Sequence, residues 1–377
     1  MADDCRMTFM GQAIDLARQA LGATSPNPAV GAVVVKDGTV VGRGATRPPG
    51  QAHAEVVALE EAREAAKGAS LYVTLEPCCH WGRTPPCTRA VIDSGVAEVV
   101  IAYTDPNPVV SGNGITELRN AGIAVSSLPD DSPEAEQARE LYEGFAKHLN
   151  TGLPFVTVKF AMSLDGKIAT RTGDSKWVTG PQARALVQRM RRETDAVMVG
   201  IRTVIADDPA LTARDGDGRP LARQPLRVAL DSHCRMPVES QLLHQPGQTV
   251  VYTTPAAPNG NVRGLEQAGA EVRTLGATSA GQVCPEEALS DMGRRGIVNL
   301  LVEGGGLTLG SLFDARLVDK VHAFVAPVVI GGVAAASPVE GAGAELMAHA
   351  MRLERAAIRQ IGPDWLITGY PQISLSS

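Results

Sequence analysis

Aromatic residues and long hydrophobic segments are both scarce in this sequence of 377 residues. Phe, Trp and Tyr together make up 4% of the chain, so its cores must consist mainly of Ala, Val, Leu and Ile. The sequence contains no run of about 18 apolar residues, which is the length that a membrane-spanning helix requires. We therefore expect a globular protein that does not cross a membrane.

An excess of basic residues is also missing, and this limits the partners of the protein. The chain has 35 Lys and Arg against 41 Asp and Glu, a formal net charge of −6 at pH 7. Proteins that bind polynucleotides usually present a strongly basic face, so no nucleic-acid partner is expected. A single phosphorylated nucleotide remains compatible with this charge, because a few local groups suffice to hold it.

The N-terminal sequence lacks the apolar segment of a secretory signal, which favours a cytoplasmic protein. Thiols stay reduced in the cytoplasm, and disulfides are rare there. Three of the six cysteines, Cys78, Cys79 and Cys87, fall within ten residues of one another. In a reducing compartment such a cluster indicates metal binding or catalysis before it indicates a disulfide.

The length of the chain predicts two domains, because a single hydrophobic core rarely grows beyond about 250–300 residues. Helix and strand patterns alternate through the first part and begin again after the polar segment NTGLPF. We predict an α/β protein with domains at residues 1–150 and 151–377. In the second domain, buried strands alternate with helices, which is typical of a largely parallel sheet covered on both faces. Residues 254–264 are predicted to form a mobile loop.

A possible zinc site is distributed over the first domain. His53 and Glu55 open a predicted helix, Cys78 follows the next strand, and Cys87 lies nine residues further on. Zinc takes tetrahedral N and S ligands, and a catalytic zinc leaves one position to water. His53, Cys78 and Cys87 supply three ligands. Glu55 is then the proton carrier, as in the H-x-E…P-C pattern of zinc deaminases.

This interpretation places a condition on the structure. His53 and Glu55 are two positions apart, so they point to different faces of a helix. Both side chains reach one pocket only if they lie at the first helical turn, with the end of the helix facing the site.

Each of these residues also has a simpler explanation. An isolated H-x-E occurs by chance, and a single buried Cys usually acts as a small hydrophobic residue. Cys79 is left out of the ligand set, because the end of a strand directs one side chain at a metal. A structural zinc in a non-catalytic binding protein would normally have four protein ligands and would leave Glu55 unexplained. A zinc deaminase of another nucleoside or nucleotide, joined to a different second domain, is the remaining alternative.

Longer segments of the sequence resemble a known family. In the first half they are SPNPAVGAVV, HAEVVAL, LYVTLEPCCHWGRTPPCTRAVIDSGV and AYTDPNPVVSGNG. In the second half they are KFAMSLDGKIAT, SKWVTG, DAVMVGIRTVIADDPALTAR and VEGGGLTLGSLF. These segments are similar to the bifunctional riboflavin biosynthesis enzymes of the bacterial RibD family, over nearly the whole chain. The resemblance implies an N-terminal cytidine-deaminase-like three-layer α/β/α domain, a C-terminal dihydrofolate-reductase-like α/β domain, and a homo-oligomer, either a dimer or a tetramer.

The resemblance also implies two reactions on one phosphorylated small molecule. The first is zinc-dependent hydrolytic deamination of 2,5-diamino-6-(5-phosphoribosylamino)pyrimidin-4(3H)-one, and the second is reduction of its ribosyl group to ribityl by NADPH. Asn27 and Arg83 then contact the substrate in the first half. Thr46 and Val57 depart from the residues usual in the family, which leaves the metal chemistry intact and puts the binding of the phosphoribose in question.

The second half contains fewer residues with an evident chemical role. Gly304, Gly305 and Gly306 lie between a strand and a helix, where backbone amides bind phosphate, but a glycine run is also common in flexible turns. The resemblance implies cofactor contacts from Ala161, Trp177, Thr203, Asp207, Ser232, Gly305 and Gly306. It implies substrate contacts from Ser175, Arg191, Leu211, Arg214 and Glu303. Arg191 and Arg214 would grip the substrate phosphate as forked donors. The sequence does not identify the cation that binds the 2′-phosphate of NADPH.

Overall fold

The computed structural model describes residues 2–372, and the side chains of residues 6–372. The chain divides into two units, Met1–Gly152 and Leu153–Ser377. Within the described residues, no helix is both long and apolar enough to cross a membrane.

A five-stranded sheet of order β2-β1-β3-β4-β5 forms the centre of the first unit. Its strands are Gly31–Lys36 (β1), Thr39–Ala45 (β2), Ser70–Val73 (β3), Glu98–Ile101 (β4) and Ala124–Ser127 (β5). β1 is antiparallel to both β2 and β3, whereas β3, β4 and β5 are parallel. The hairpin between β1 and β2 turns at Asp37 and Gly38, whose φ angles of 49° and 74° are those that a tight two-residue turn requires.

Helices cover both faces of this sheet and give the three-layer α/β/α arrangement. They are Ala2–Ala20 (α1), Ala54–Ala62 (α2), Cys87–Ser94 (α3), Asn113–Asn120 (α4) and Pro133–Thr151 (α5), with a short 3-10 helix at Arg63–Ala66. α1 packs against α5, and α3 packs against both α2 and α4. The core between the layers consists mainly of Ala, Val, Leu and Ile side chains, as the scarcity of aromatic residues predicts.

Glycines in β2 bring α2 very close to the sheet. A Cβ atom at Gly44 would overlap the carbonyl oxygen of Ala54 and lie 2.6 Å from the amide nitrogen of Ala58. At Gly42 a Cβ atom would overlap the carbonyl oxygen of Ala58 in the same way. The position of α2, and therefore of its first turn, depends on the absence of side chains at these two glycines.

The second unit contains a nine-stranded sheet of order β10-β9-β8-β7-β11-β6-β12-β14-β13. Its strands are Phe155–Ser163 (β6), Ala196–Gly200 (β7), Leu226–Leu230 (β8), Thr249–Thr253 (β9), Glu271–Thr274 (β10), Asn299–Glu303 (β11), Lys320–Ala326 (β12), Leu353–Ile361 (β13) and Asp364–Pro371 (β14). The first seven strands in this spatial order, from β10 across to β12, are parallel to one another. β14 is antiparallel to both β12 and β13. The prediction of a largely parallel sheet agrees with this order.

Six α-helices lie among the described residues of the second unit. They are Pro181–Glu193 (α6), Ile201–Asp207 (α7), Gln241–His244 (α8), Asn259–Gln267 (α9), Pro285–Arg294 (α10) and Gly306–Asp314 (α11), and a 3-10 helix covers Met347–His349. The predicted loop at residues 254–264 is wrong in its second half, because α9 begins at Asn259. Leu265 anchors this helix in the core, and the polar composition of the segment had concealed that contact.

Gly44→Ala is expected to destabilise the first unit, because the new methyl group forces α2 away from β2. We expect the free energy of unfolding to fall by about 1–3 kcal/mol, the usual cost of overpacking. Chemical denaturation measures the change. Gly11→Ala is the control: Gly11 lies within α1 with open space around it, so the same substitution should stabilise by about 0.5–1 kcal/mol. Equal effects of the two substitutions would contradict the close packing of α2.

Candidate active sites

Three side chains with metal-binding atoms converge in the first unit. The Nδ1 atom of His53 lies 3.2 Å from the Sγ atom of Cys87 and 3.7 Å from the Sγ atom of Cys78. The ligand atoms of the three residues all lie within 4.8 Å of one another. A tetrahedral zinc with bond lengths near 2.0–2.3 Å holds its ligand atoms about 3.5–3.8 Å apart. The cluster therefore fits three ligands of one zinc ion.

Two helix N-termini position these ligands. His53 is the residue before α2, Glu55 lies in the first turn of α2, and Cys87 is the first residue of α3. This arrangement meets the condition that the sequence placed on His53 and Glu55. The backbone N–H of Cys87 donates to the Cys78 sulfur over 3.4 Å. Amide groups and the positive end of a helix stabilise thiolates, which are the form of cysteine that binds metal.

Glu55 is almost completely buried beside the cluster, with 3% of its surface exposed. Burial raises the pKa of its carboxyl to about 7, and the negative charge of Cys78 adds to the effect. A hydrogen bond from Cys87 lowers the pKa of Cys78 to about 4. A carboxyl with a pKa near 7 can both take up and release a proton at neutral pH, as a catalytic proton carrier must.

Two supporting residues were not identified from the sequence. The hydroxyl of Thr84 lies 3.4 Å from the Nε2 atom of His53, on the side of the ring that faces away from the cysteines. Such a partner fixes the orientation of a metal-binding imidazole. The buried carboxylate of Glu76 accepts three hydrogen bonds from backbone N–H groups of residues 105–115, at 3.0–3.3 Å. The sequence feature that could have identified Glu76 is its position after a predicted strand, directly before Pro77 and Cys78.

The predicted substrate residues of the first half lie in loops. Asn27 is half-buried in the turn before β1, where its N–H donates to the carbonyl of Thr24 over 2.9 Å. Arg83 is exposed in the loop that also carries Thr84. Thr46 is buried, and its hydroxyl accepts a hydrogen bond from the N–H of Val30. Thr46 therefore has a structural contact of its own.

Cys79 is turned away from the metal-binding group. Its sulfur lies 3.8 Å from the carbonyl of Val109, and it does not belong to the cluster of His53, Cys78 and Cys87. The exclusion of Cys79 from the predicted ligand set is consistent with this position.

A cavity of about 1320 Å³ opens at the carboxyl ends of the parallel strands in the second unit. The residues that the sequence assigned to cofactor and substrate all line it: Ala161, Trp177, Thr203, Asp207, Ser232, Gly305, Gly306, Ser175, Arg191, Leu211, Arg214 and Glu303. Two of them contact each other, since the hydroxyl of Ser175 donates to the carboxylate of Asp207 over 3.0 Å. The fold thus gathers residues from distant parts of the chain into one space large enough for a dinucleotide and a second molecule.

The glycine run forms part of the cavity wall. Gly304 and Gly305 have φ angles of 77° and 84°, and a Cβ atom at Gly304 would meet nothing within 4 Å. The backbone is therefore open to a ligand at this point, directly before the first turn of α11. This geometry suits a pyrophosphate, which binds to backbone N–H groups at a helix N-terminus. At Gly306 the side chain of Glu340 fills the space instead, so that glycine also serves the packing of the chain.

A buried ion pair lies at the base of the cavity. Arg191 donates from Nε and Nη2 to the two carboxylate oxygens of Glu303 at 2.5 and 2.9 Å, and from Nη1 to the carbonyl of Thr212. Lys159 on β6 is the register partner of Glu303. Burial alone would raise the pKa of Glu303, but Arg191 and then Lys159 lower it below its usual value. The fork of Arg191, expected from the sequence to face a phosphate, is occupied by Glu303 in this structure.

An aromatic side chain stands at the mouth of the cavity. Trp177 is 71% exposed, and the guanidinium carbon of Arg184 lies 4.7 Å from the centre of its ring. Arg184 is held in turn by a hydrogen bond from Nη1 to the carbonyl of Thr179, at 2.6 Å. The exposed indole is therefore supported from one side and presents its other side to the cavity or the solvent.

Comparison with known proteins reveals relatives along nearly the whole chain. The model of the RibD C-terminal domain matches residues 154–367, and that of the cytidine and deoxycytidylate deaminase zinc-binding region matches residues 3–103. The riboflavin biosynthesis protein RibD of Bacillus amyloliquefaciens is 43% identical over 97% of this chain and 96% of its own length. The chain belongs to the RibD family. The RibD protein of Escherichia coli strain K12 is 39% identical over 94% of this chain and 96% of its own.

Solved structures of the RibD family have the same fold. Acinetobacter baumannii RibD superimposes with a TM-score of 0.81 at 37% identity, over 98% of this chain and 99% of that chain. A diaminohydroxyphosphoribosylaminopyrimidine deaminase/5-amino-6-(5-phosphoribosylamino)uracil reductase from Thermotoga maritima gives 0.79 at 34% identity, over 99% of this chain and 100% of that chain. The protein is a bifunctional deaminase and reductase of riboflavin biosynthesis, and it uses zinc in the deaminase and NADPH in the reductase.

Glu303→Gln should destabilise the second unit, because Arg191 and Lys159 then remain at the base of the cavity without a negative partner. We expect the free energy of unfolding at pH 7 to fall by about 3–5 kcal/mol, the cost of breaking a buried ion pair from one side. Denaturant titration measures the effect. Glu345→Gln removes an exposed carboxylate from the same unit and should change stability by less than about 0.5 kcal/mol.

The pH dependence provides a further check on the same substitution. Since the folded-state pKa of Glu303 is lowered, the wild type gains stability from this group above the unfolded-state pKa. That gain is lost as the pH falls through the lowered folded-state value. The difference between wild type and variant should therefore shrink in acid, and a constant difference would count against the ion pair.

Proposed function

We propose that residues 1–150 deaminate 2,5-diamino-6-(5-phosphoribosylamino)pyrimidin-4(3H)-one and that residues 151–377 reduce the ribosyl group of the product to ribityl with NADPH. The observation that supports the first assignment is the cluster of His53, Cys78 and Cys87 with the buried carboxyl of Glu55 beside it. The name of the Thermotoga maritima relative describes the same pair of reactions. We also propose that the protein works in the cytoplasm, where the cysteine ligands stay reduced.

In the deaminase, His53, Cys78 and Cys87 are the proposed zinc ligands and Glu55 the catalytic residue. Bound zinc supplies the Lewis acidity that activates water near neutral pH. Glu55 takes the first proton of the attacking water and delivers it to the ring nitrogen. It then takes the second proton from the hydroxyl group formed on the ring carbon and delivers it to the departing amino group. A carbon–oxygen bond forms, the carbon–nitrogen bond breaks, and ammonia leaves. Asn27 and Arg83 are the proposed contacts to the substrate in this half.

In the reductase, the cavity residues bind and orient two molecules, and the nicotinamide cofactor supplies the hydride. Ala161, Trp177, Thr203, Asp207, Ser232, Gly305 and Gly306 are the proposed cofactor contacts. Ser175, Arg191, Leu211, Arg214 and Glu303 are the proposed substrate contacts. In the cluster of Arg191, Lys159 and Glu303, two basic side chains face one carboxylate, so basic groups are in excess, although burial lowers the pKa of Lys159. That excess suits an anionic substrate at the base of the cavity.

Glu55→Gln should strongly slow ammonia release, because the amide cannot carry the proton. Zinc binding and the reductase activity should stay intact. A fall in deamination of at least about 10²–10⁴-fold is expected for the loss of a general acid–base residue. Ammonia release from the diaminopyrimidinone and NADPH oxidation on the deaminated product are measured separately, together with the zinc content of the protein.

Glu60→Gln is the matched control for this variant. Glu60 lies on the exposed side of the same helix α2, so its substitution should alter neither reaction. Retained ammonia release in Glu55→Gln would remove Glu55 from the mechanism. Absence of ammonia release in the zinc-loaded wild type, with activity on another nucleotide, would reassign the substrate.

We propose that the protein assembles as a homo-oligomer, a dimer or a tetramer, through the edge of the sheet in the second unit. β13 is exposed along nearly its whole length and carries Ile358, which is 71% exposed. Met347, six residues before β13, is 88% exposed. A long exposed edge strand with apolar side chains is a ready surface for pairing between chains.

Ile358→Lys should shift the assembly toward monomers, because pairing would bury an unpaired charge. Sedimentation velocity at several protein concentrations measures the change. Ile205→Lys introduces the same charge at an exposed isoleucine of α7, away from β13, and should leave the assembly unchanged. A wild type that sediments as a monomer at all concentrations would contradict the proposed assembly.

A further inference from the structure

The cavity of the second unit contains many basic side chains, and NADPH needs one of them for its 2′-phosphate. This phosphate is the group that distinguishes NADPH from NADH. The basic residues that line the cavity are Lys159, Lys176, Arg184, Arg189, Arg191, Arg192, Arg202, Arg214 and Arg235. The following inference rests on the cofactor position proposed above.

The topology of the sheet indicates where the adenosine half of the cofactor lies. The open glycine run follows β11 and suits the pyrophosphate, and the ion pair of Glu303 with Arg191 marks the base of the cavity beside β6. Ala161, a proposed cofactor contact, also lies on β6. With the nicotinamide on the β6 side of the glycine run, the adenosine extends to the other side. There the next strands of the sheet are β7 and then β8.

Arg202 in the first turn of α7 and Ser232 in the loop after β8 follow adjacent strands at this place. Gly200, the last residue of β7, is the register partner of Leu230, the last residue of β8. Arg202 follows Gly200 by two positions, and Ser232 follows Leu230 by two positions. Both residues line the cavity, and Arg202 is exposed.

Most of the other cations in the cavity are already engaged within the protein. Three arginines form ion pairs: Arg191 with Glu303, Arg192 with Glu193, and Arg235 with Asp231. Three other basic side chains donate hydrogen bonds: Lys176 to the carbonyl of Asp207, Arg184 to the carbonyl of Thr179, and Arg214 to the Thr212 hydroxyl and the Gly218 carbonyl. Lys159 is the register partner of Glu303, and its Nζ atom lies 5.9 Å from the centre of the Phe324 ring. Among the residues that the structure describes, the guanidinium groups of Arg202 and Arg189 have no hydrogen bond or ion pair with a protein group. Arg189 lies on α6, whereas Arg202 lies at the expected adenosine end.

We propose that Arg202, together with the hydroxyl of Ser232 from the loop after the neighbouring strand β8, binds the 2′-phosphate of NADPH and selects this cofactor over NADH. A guanidinium presents two parallel N–H donors to phosphate oxygens, and a serine hydroxyl adds a third donor. Because the Arg202 guanidinium has no partner among residues 6–372, its full donor set is available to the ligand. NADH lacks the phosphate, so its affinity does not depend on this side chain.

Calorimetric titration of the zinc-loaded full-length protein with NADP⁺ and with NAD⁺ tests the proposal. In Arg202→Gln the affinity for NADP⁺ should fall about ten- to hundred-fold, as expected for a charged hydrogen-bond pair, while the affinity for NAD⁺ stays the same. The same contrast should appear with 2′,5′-ADP and 5′-AMP, which probe the adenosine end alone. The loss should be smaller at high salt, because the cation is exposed to solvent.

Arg189→Gln is the matched control, since it removes one unpartnered cation of the same cavity outside the proposed contact. It should leave the ratio of NADP⁺ to NAD⁺ affinity unchanged. Equal losses for both dinucleotides in Arg202→Gln, or an equal change of the ratio in Arg189→Gln, overturn the assignment of Arg202 alone. A wild type that binds neither dinucleotide overturns the proposed reductase function together with it.

Discussion

The first turn of α2 is the element on which the metal-binding cluster depends. It carries Glu55 and is preceded by His53, and its position is set by contact with the glycines of β2. The Cys78 and Cys87 sulfurs approach the same point from the end of β3 and from the start of α3. Because a tetrahedral ion accepts ligand atoms within only a few tenths of an ångström of their places, close helix–sheet packing is a condition of the chemistry.

Each unit contains a buried carboxyl group, and the two carboxyl groups have opposite pKa shifts. In the first, burial and then the negative charge of Cys78 raise the pKa of Glu55 to about 7, so one carboxyl can exchange protons at neutral pH. In the second, Arg191 and Lys159 keep Glu303 charged despite its burial. Among the described residues, no Lys or Arg is bonded to Glu55, whereas Arg191 and Lys159 both lie beside Glu303. The charge environments therefore differ: that of Glu55 suits its proposed proton transfer, and that of Glu303 suits a carboxylate that stays charged.

Local patterns in the sequence were sufficient to predict several features of the structure. Asp37 and Gly38 predict the hairpin because both residues tolerate positive φ angles, and the spacing of His53, Cys78 and Cys87 predicts the metal cluster because zinc requires those atom types. Other features carry no local signal. β13 is exposed and lacks the alternation of a half-buried strand, and the helix at Asn259–Gln267 lies in a segment of loop-like composition.

The sequence by itself determined the family, the two chemistries and the residues of the candidate metal cluster, because these depend on residue type and spacing. The tertiary structure decided which of the polar side chains are bound to other protein groups. It showed that Arg191 is bound by Glu303 and that Thr84 supports His53. It also showed that the Arg202 guanidinium, in the first turn of α7, has no hydrogen bond or ion pair with the described part of the chain. Such contacts join residues up to 112 positions apart. They arise from the order of strands in the sheet, and no pattern within a short window of sequence records that order.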